Sequence, residues 1–398
     1  MRRFSALCAL LLIGCNSTFP AIHSFEECAA AGYPVMESYP EQCRTPDGRN
    51  FVREISGENT SGNAHSSSSV ATTQTTEVVA ANLQIPWDVA FLPSGDMLVT
   101  QRGGTLLRIG SGQKQYTIDG VRHIGEGGLL GIALHPDFGN NQWIYLYLTT
   151  QNGGAISNRV ERYRFQNDAL TDRTEILTGI PGSIYHDGGR IAFGPDDLLF
   201  VTTGDAGNSR AAQDTASLAG KILRIHDDGS VPSDNPFGNA VYSYGHRNPQ
   251  GLAWDSSGRL WSTEHGRSGV QSGYDELNLI VKGGNYGWPE IEGDGTRDGM
   301  IVPVLHSGPS VTWAPASALF LDGSIFFGGL RGEALYEAVL PYDEGKKPEL
   351  RTLFSGTFGR IRTVTAGPDG SLYFTTSNRD GRGSPAADDD RIVRLAPD

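Results

Sequence analysis

Tyr185-His186-Asp187-Gly188-Gly189-Arg190-Ile191-Ala192-Phe193-Gly194-Pro195-Asp196, running through Asp197-Leu198 into Leu199-Phe200-Val201-Thr202-Thr203-Gly204-Asp205, is the stretch whose reading decides the fold. A short alternating apolar run, a Gly-Pro-Asp turn and a second alternating run make two antiparallel strands joined tightly. The residue before the first strand and the residue after the second then emerge at one edge of the sheet, which brings His186 beside Asp205. A histidine and a carboxylate so placed have the layout of a base and the group that orients it. A polar loop whose histidine merely caps a strand is the competing reading of this stretch taken alone.

The same pattern of apolar strand, tight turn and second strand recurs along the chain. Its copies are Trp87 to Gly95, Leu130 to Asp137, Arg190 to Asp196, Gly251 to Gly258, Ala318 to Gly323 and Thr363 to Gly370, which makes six. Several continue into a third strand with a basic-apolar pattern, as in Thr105-Leu106-Leu107-Arg108-Ile109, Lys221-Ile222-Leu223-Arg224-Ile225 and Arg391-Ile392-Val393-Arg394-Leu395. A single unit of this kind cannot bury both faces, so radial stacking of six copies is the economical solution. The expected fold is all-β, a six-bladed β-propeller over 77–398. Two stacked sandwiches would also use short strands, but they do not call for a turn recurring at each blade position.

The bulk properties agree with this and exclude some partners. Of 398 residues, 52 are glycine, scattered between short alternating runs, which is turn usage. A formal charge of −13 argues against a nucleic-acid partner, which would need a basic face. Small solutes and cations fit better.

Ahead of the repeats, Arg2 and Arg3 precede an apolar run from Ala6 to Ile13, too short to span a bilayer, ending in Leu12-Ile13-Gly14-Cys15. This resembles a bacterial lipoprotein signal, with 1–14 removed and Cys15 lipidated; an ordinary secretory signal with an incidental cysteine is the alternative. The expected location is the cell envelope, on the periplasmic or outer-membrane side, with the lipid as the sole membrane attachment. Cys28 and Cys43 then remain as the one pair in an oxidising compartment and should be bonded to each other within a small module, 15–55. The Ser/Thr/Asn/Gly-rich run over 56–76 has almost nothing to bury and reads as a flexible tether.

Four further groups carry chemistry. Gly125-Glu126-Gly127-Gly128 sets a carboxylate between glycines just before an inner strand, and Gly245-His246-Arg247-Asn248-Pro249 packs a cation and an amide into an equivalent loop. Glu264-His265-Gly266-Arg267, Tyr274-Asp275-Glu276 and Gly284-Asn285-Tyr286-Gly287-Trp288 interleave carboxylates with exposed backbone carbonyls, the hard-oxygen donors that suit Ca²⁺ and not zinc. Arg331, Arg360 and Arg362 come from the last two blades, the latter two alternating along a strand and so pointing the same way. Together these cations imply an anionic ligand with several carboxylates. Ion pairing with surface acids is their structural alternative.

In this order, Gly-Glu-Gly-Gly-Leu-Leu-Gly-Ile-Ala-Leu-His-Pro-Asp-Phe, His-Asp-Gly-Gly-Arg, Thr-Gly-Asp, Gly-His-Arg-Asn-Pro-Gln-Gly, Asp-Glu-Leu-Asn-Leu-Ile and Gly-Gly-Asn-Tyr-Gly-Trp-Pro resemble the glucose/sorbosone dehydrogenase family over Leu83 to Leu395. The resemblance implies a propeller carrying pyrroloquinoline quinone (PQQ) and Ca²⁺ and oxidising aldoses to lactones by hydride transfer. By motif, His186 resembles the general base and Asp205 the carboxylate that orients it. Arg247 and Asn248 would contact the quinone oxygens, and Arg331, Arg360 and Arg362 the carboxylates. The carbonyls of Gly266 and Arg267 would hold the Ca²⁺ that binds PQQ. Glu276 and the Tyr286 carbonyl resemble a second, structural calcium site, and Thr312 a further cofactor contact. Glu126 stands at a cofactor-binding position where the family usually has glutamine, adding a negative charge. Arg267 replaces a proline, Arg331 a lysine, and Arg210 a sugar-contacting glutamine. The expected partners are a sugar and an electron acceptor of unknown identity, with the protein a monomer. The alternatives are a non-catalytic propeller that binds a sugar or a partner, and a calcium-dependent lactonase.

Overall fold

Each of the six repeated turns joins the first two strands of a four-stranded antiparallel sheet, as their alternation requires. The computed structural model describes residues 22–31, 35–36, 42–45, 49–52, 75–269, 272–343 and 346–396. The first blade comprises Pro86–Phe91, Met97–Gln101, Thr105–Ile109 and Gln113–Thr117; the second, Leu129–Leu134, Trp143–Asn152, Ala155–Gln166 and Ala169–Pro181. The third is Ile191–Phe193, Leu199–Thr203, Lys221–Ile225 and Val241–Tyr244, and the fourth Pro249–Trp254, Leu260–Glu264, Glu276–Ile280 and Leu305–His306. Pro315–Leu321, Ser324–Gly329, Ala334–Val339 and Glu349–Leu353 form the fifth. The sixth takes Ile361–Ala366, Leu372–Thr376 and Ile392–Leu395 from the end of the chain, and its outermost strand, Thr76–Ala80, from before the first blade. That pairing closes the ring with backbone hydrogen bonds and leaves the last blade no unfinished edge.

The core is divided as radial stacking demands. Six apolar clusters each join neighbouring blades; Leu98 and Leu106 of the first blade, for example, meet Leu129 and Ile144 of the second. Threonines hook one blade to the next: Thr100 Oγ1 donates to the Leu130 carbonyl, Thr263 to Ala316 and Thr363 to Trp87. The innermost strands of the blades pack against one another around the axis, so the loops that precede them converge at one end.

The N-terminal unit is separate in its contacts. Its helix, Phe25–Ala30, is capped by Ser24, whose hydroxyl accepts the Glu27 N–H at 3.1 Å. Cys28 and Cys43 are disulfide-bonded and buried with Ile22 and Phe25. The signal segment, Cys15 and the tether up to residue 74 lie outside the described residues.

Candidate active site

The third blade brings His186 and Asp205 together as the strand register requires. Ile191 pairs with Val201 across the two strands, leaving His186 and Asp205 at the same end. His186 Nδ1 lies 2.7 Å from Asp205 Oδ1, with side chains 14% and 2% exposed. Asp205 also accepts the Gly207 N–H at 2.8 Å and the Trp288 indole N–H at 2.9 Å. Burial alone would push this carboxyl up, but the hydrogen bonds and the charge of His186 outweigh it and hold Asp205 below the usual carboxylate range. His186 has a left-handed backbone, φ +60°, and its carbonyl sits where a Cβ on Gly204 would lie 1.9 Å away. Glycine at 204 is therefore a steric requirement.

Arg247 and Asn248 stand just ahead of the innermost strand of the fourth blade and are buried. Glu264, at the end of the next strand, accepts the Arg247 N–H and lies 2.8 Å from His246 Nδ1, which fixes the loop. The Arg247 guanidinium donates to Ser268 Oγ at 2.9 Å and lies over the Trp288 ring. Asn248 Oδ1 accepts the Gly188 N–H at 3.0 Å, tying this loop to that of His186. Its Nδ2 has no hydrogen-bond partner among the described residues, and neither has His265 Nε2. Burial pulls the His265 imidazole down to about 3, so it is neutral at pH 7.

Arg360 and Arg362 do point the same way, and between them lies Asp380. Arg360 donates to Asp380 Oδ2 through Nη2 at 2.8 Å and Nε at 3.1 Å, while Arg362 Nη2 reaches the same oxygen at 3.5 Å. Arg102 donates to the Asp380 carbonyl at 3.2 Å. Burial pulls Arg362 down to about 9 against the opposing charge of Asp380. Arg331 donates to Ser272 Oγ at 2.9 Å. One cavity is lined by Glu126, His186, Gly266, Arg267, Thr312, Arg331 and Arg360; Arg362 lines a cavity that shares Glu126 and His265 with it.

Glu276 and Tyr286 instead line a neighbouring cavity with Glu264, Gly266 and Glu292. Burial, and then the charge of Glu264, raises the Glu276 carboxyl well above its ordinary value. Asp275 braces the wall between the two cavities: it accepts N–H groups from Gly266 at 2.8 Å, Trp313 at 2.6 Å and Ala314 at 2.9 Å, and the Thr312 hydroxyl at 2.6 Å. A Cβ on Gly266 would lie 2.2 Å from the Gly273 carbonyl, so this backbone turn also needs glycine. The three carboxylates on the neighbouring cavity, Glu264, Glu276 and Glu292, are hard-oxygen donors of the kind that suit Ca²⁺, and Arg247 and His265 line it beside them. The orphaned Asn248 Nδ2 and the guanidinium-lined wall fit a quinone that carries carboxylates.

All the expected site residues from Glu126 to Arg362 thus fall at one end of the ring, with Asp205 behind His186 and Glu276 and Tyr286 in the adjoining cavity. The negative charge that Glu126 adds where the family usually has glutamine is paired: Arg382 lies 2.8 Å from it. Sequence reasoning passed over Arg102, Asp380 and Arg382, quoted His265 and Trp288 without a role, and grouped Asp275 with the hard-oxygen donors where it is taken up by hydrogen bonds from Gly266, Thr312, Trp313 and Ala314. Their partners lie up to 278 residues away, as for Arg102 and Asp380, and no local spacing announces such contacts.

The comparisons with known proteins point the same way. The family model described as Glucose / Sorbosone dehydrogenase matches residues 83–388. An aldose sugar dehydrogenase of Escherichia coli K12 is 32% identical over 341 residues, 77% of this chain and 90% of that protein. An uncharacterised Synechocystis protein is 36% identical over 372 residues, 78% of this chain and 88% of its own length. The PQQ-bound aldose sugar dehydrogenase of Streptomyces coelicolor superposes with a TM-score of 0.74 at 40% identity, covering 81% of this chain and 97% of that one. The chain therefore belongs to the glucose/sorbosone dehydrogenase family.

Proposed function

We propose that this protein oxidises aldose sugars to lactones with PQQ and Ca²⁺ as cofactors and His186 as general base. The observation that carries the reading is the His186–Asp205 pair opening on a cavity that Arg267, Arg331, Arg360 and Arg382 also line. With its Nδ1 proton shared with Asp205, His186 keeps Nε2 free to take the anomeric hydroxyl proton, and Asp205 steadies the imidazolium that results. PQQ, when bound, supplies the ortho-quinone that accepts hydride from the sugar. Arg331, Arg360 and Arg362 would bind its carboxylates, and Arg247 with Asn248 Nδ2 would donate to quinone oxygens, where fixed dipoles in a buried site act strongly. Thr312 lines the cofactor cavity. The Gly266 and Arg267 carbonyls would hold one Ca²⁺, and Glu276 with the Tyr286 carbonyl would hold a second.

The test is reconstitution of the purified protein with PQQ and Ca²⁺ followed by an aldose screen with a dye acceptor. Dye reduction that needs aldose, PQQ and Ca²⁺ together supports the reading. PQQ-independent lactone hydrolysis, or sugar binding with no dye reduction, would replace it. We further propose that Cys15 carries the lipid anchor, which predicts palmitate labelling lost in Cys15→Ala.

A further inference from the structure

His186 is held by a second carboxylate besides Asp205. Glu126 Oε2 accepts the His186 backbone N–H at 2.8 Å, and its Oε1 accepts from Arg382 at 2.8 Å. The two partners come from opposite ends of the propeller sequence, Glu126 from the loop before the second blade and Arg382 from the loop that follows Leu372–Thr376 in the sixth. His186 needs such a tie, because a residue with a Cβ leaves the left-handed region readily unless its surroundings hold it there. The Ala206 N–H donates to its carbonyl at 3.2 Å, and Glu126 holds the other side of the same residue.

We propose that Glu126 and Arg382 form a positioning pair for the base: Glu126 fixes the His186 backbone and sets a negative charge beside its imidazole, and Arg382 limits how much of that charge the imidazole feels. The proposal rests on His186 as the base of the reaction proposed above. The groups that face His186 are Asp205 at Nδ1, Glu126, Asp187 next in the chain, the Tyr185 ring edge-on at 5.0 Å, His265 from the fourth blade, Arg382 through Glu126, and Arg267, Arg331 and Arg360 on the same cavity. Of these, Glu126 and Arg382 form an ion pair at the cavity, Arg382 being 40% exposed and Glu126 17%. Arg382 is therefore replaceable without disturbing the core.

The signs of the two effects are opposite. Glu126→Gln keeps an acceptor for the His186 N–H and removes the charge that favours imidazolium, so the imidazole should titrate lower. Arg382→Gln removes the opposing cation, so it should titrate higher. The double variant should return close to the unsubstituted protein, and Arg382→Lys should leave the titration in place. A pair that only braced the loops would move both single variants the same way.

The readout is the NMR titration of the His186 ring in the full chain without PQQ, assigned by its loss in His186→Asn, and then the acid limb of the dye-linked rate. Opposite shifts of the two single variants, cancelling in the double, support the proposal even if no aldose is oxidised; that combination would sink the dehydrogenase reading alone. Shifts in the same direction, or none in either variant, overturn the proposal even in a protein that oxidises sugar normally.

Discussion

Replacing Asp380 by Asn should destabilise the protein without PQQ and make it unusually responsive to PQQ. Asp380 Oδ2 is the shared acceptor for Arg360 and Arg362, both about 4% exposed. Their other acceptors are the neutral Leu330 carbonyl, the Ser377 hydroxyl and the Gln250 amide. Removing one partner of a buried ion pair leaves uncompensated charge and costs about 3–5 kcal/mol. At roughly 2 °C per kcal/mol for a domain of this size, the melting temperature should fall by about 6–10 °C. A carboxylated ligand seated against the two arginines would supply the missing charge. At about 100 times its Kd a ligand adds roughly 2.7 kcal/mol to any protein that binds it only when folded. In Asp380→Asn the PQQ-induced rise should exceed that of the unsubstituted protein. Thermal unfolding followed by circular dichroism, with and without PQQ and Ca²⁺, measures both effects. An Asp380→Asn protein that melts within about 2 °C of the original without PQQ, and gains no more from PQQ, would refute the reasoning.

Three other outcomes follow from the same geometry. Arg360→Ala and Arg362→Ala should weaken PQQ binding in a fluorescence titration, by roughly 2–5 kcal/mol if the ligand carboxylate is desolvated, with turnover recovering at saturating PQQ. Burial tends to raise the Glu126 carboxyl, but Arg382 and His186 hold it at about 2, against an ordinary 4.5. Its folded value is depressed, so its contribution is fully present above the unfolded value and is lost as pH falls toward 2. Glu126→Gln should therefore lose less stability between pH 7 and pH 3 than the original, as read by denaturant midpoints. Finally, Ca²⁺ should raise the melting temperature of the protein without PQQ, and Glu276→Gln should reduce that rise; equal rises in both would remove Glu276 from the calcium site.

The blades were legible because each carries its own punctuation. The Pro-Asp and Asp-Gly turns at Gly194-Pro195-Asp196, Asp322-Gly323 and Asp369-Gly370 announce the hairpin locally, and alternating burial follows from the strand period. His186 and Asp205 were legible for the same reason, since one hairpin positions both. The closing strand Thr76–Ala80 was not, because its partner, Ile392–Leu395, lies at the other end of the chain and neither segment signals the other. Asp380 was hidden likewise: the spacing of Arg360 and Arg362 shows that they act together, but which carboxylate they hold depends on a loop folding back from 377 onward. The same holds for Trp288, which reaches Asp205 across 83 residues.

The most direct test of the central claim is to load the protein with PQQ and Ca²⁺, add an aldose without any acceptor, and follow the cofactor absorbance in the original and in His186→Ala. The base should contribute on the order of 10²- to 10⁴-fold to the rate. Rapid reduction of bound PQQ by sugar in the original protein, with His186→Ala binding PQQ equally but reducing it at least about 100-fold more slowly, is the expected result. Bound PQQ that no aldose reduces, or equal rates in the two proteins, would contradict it.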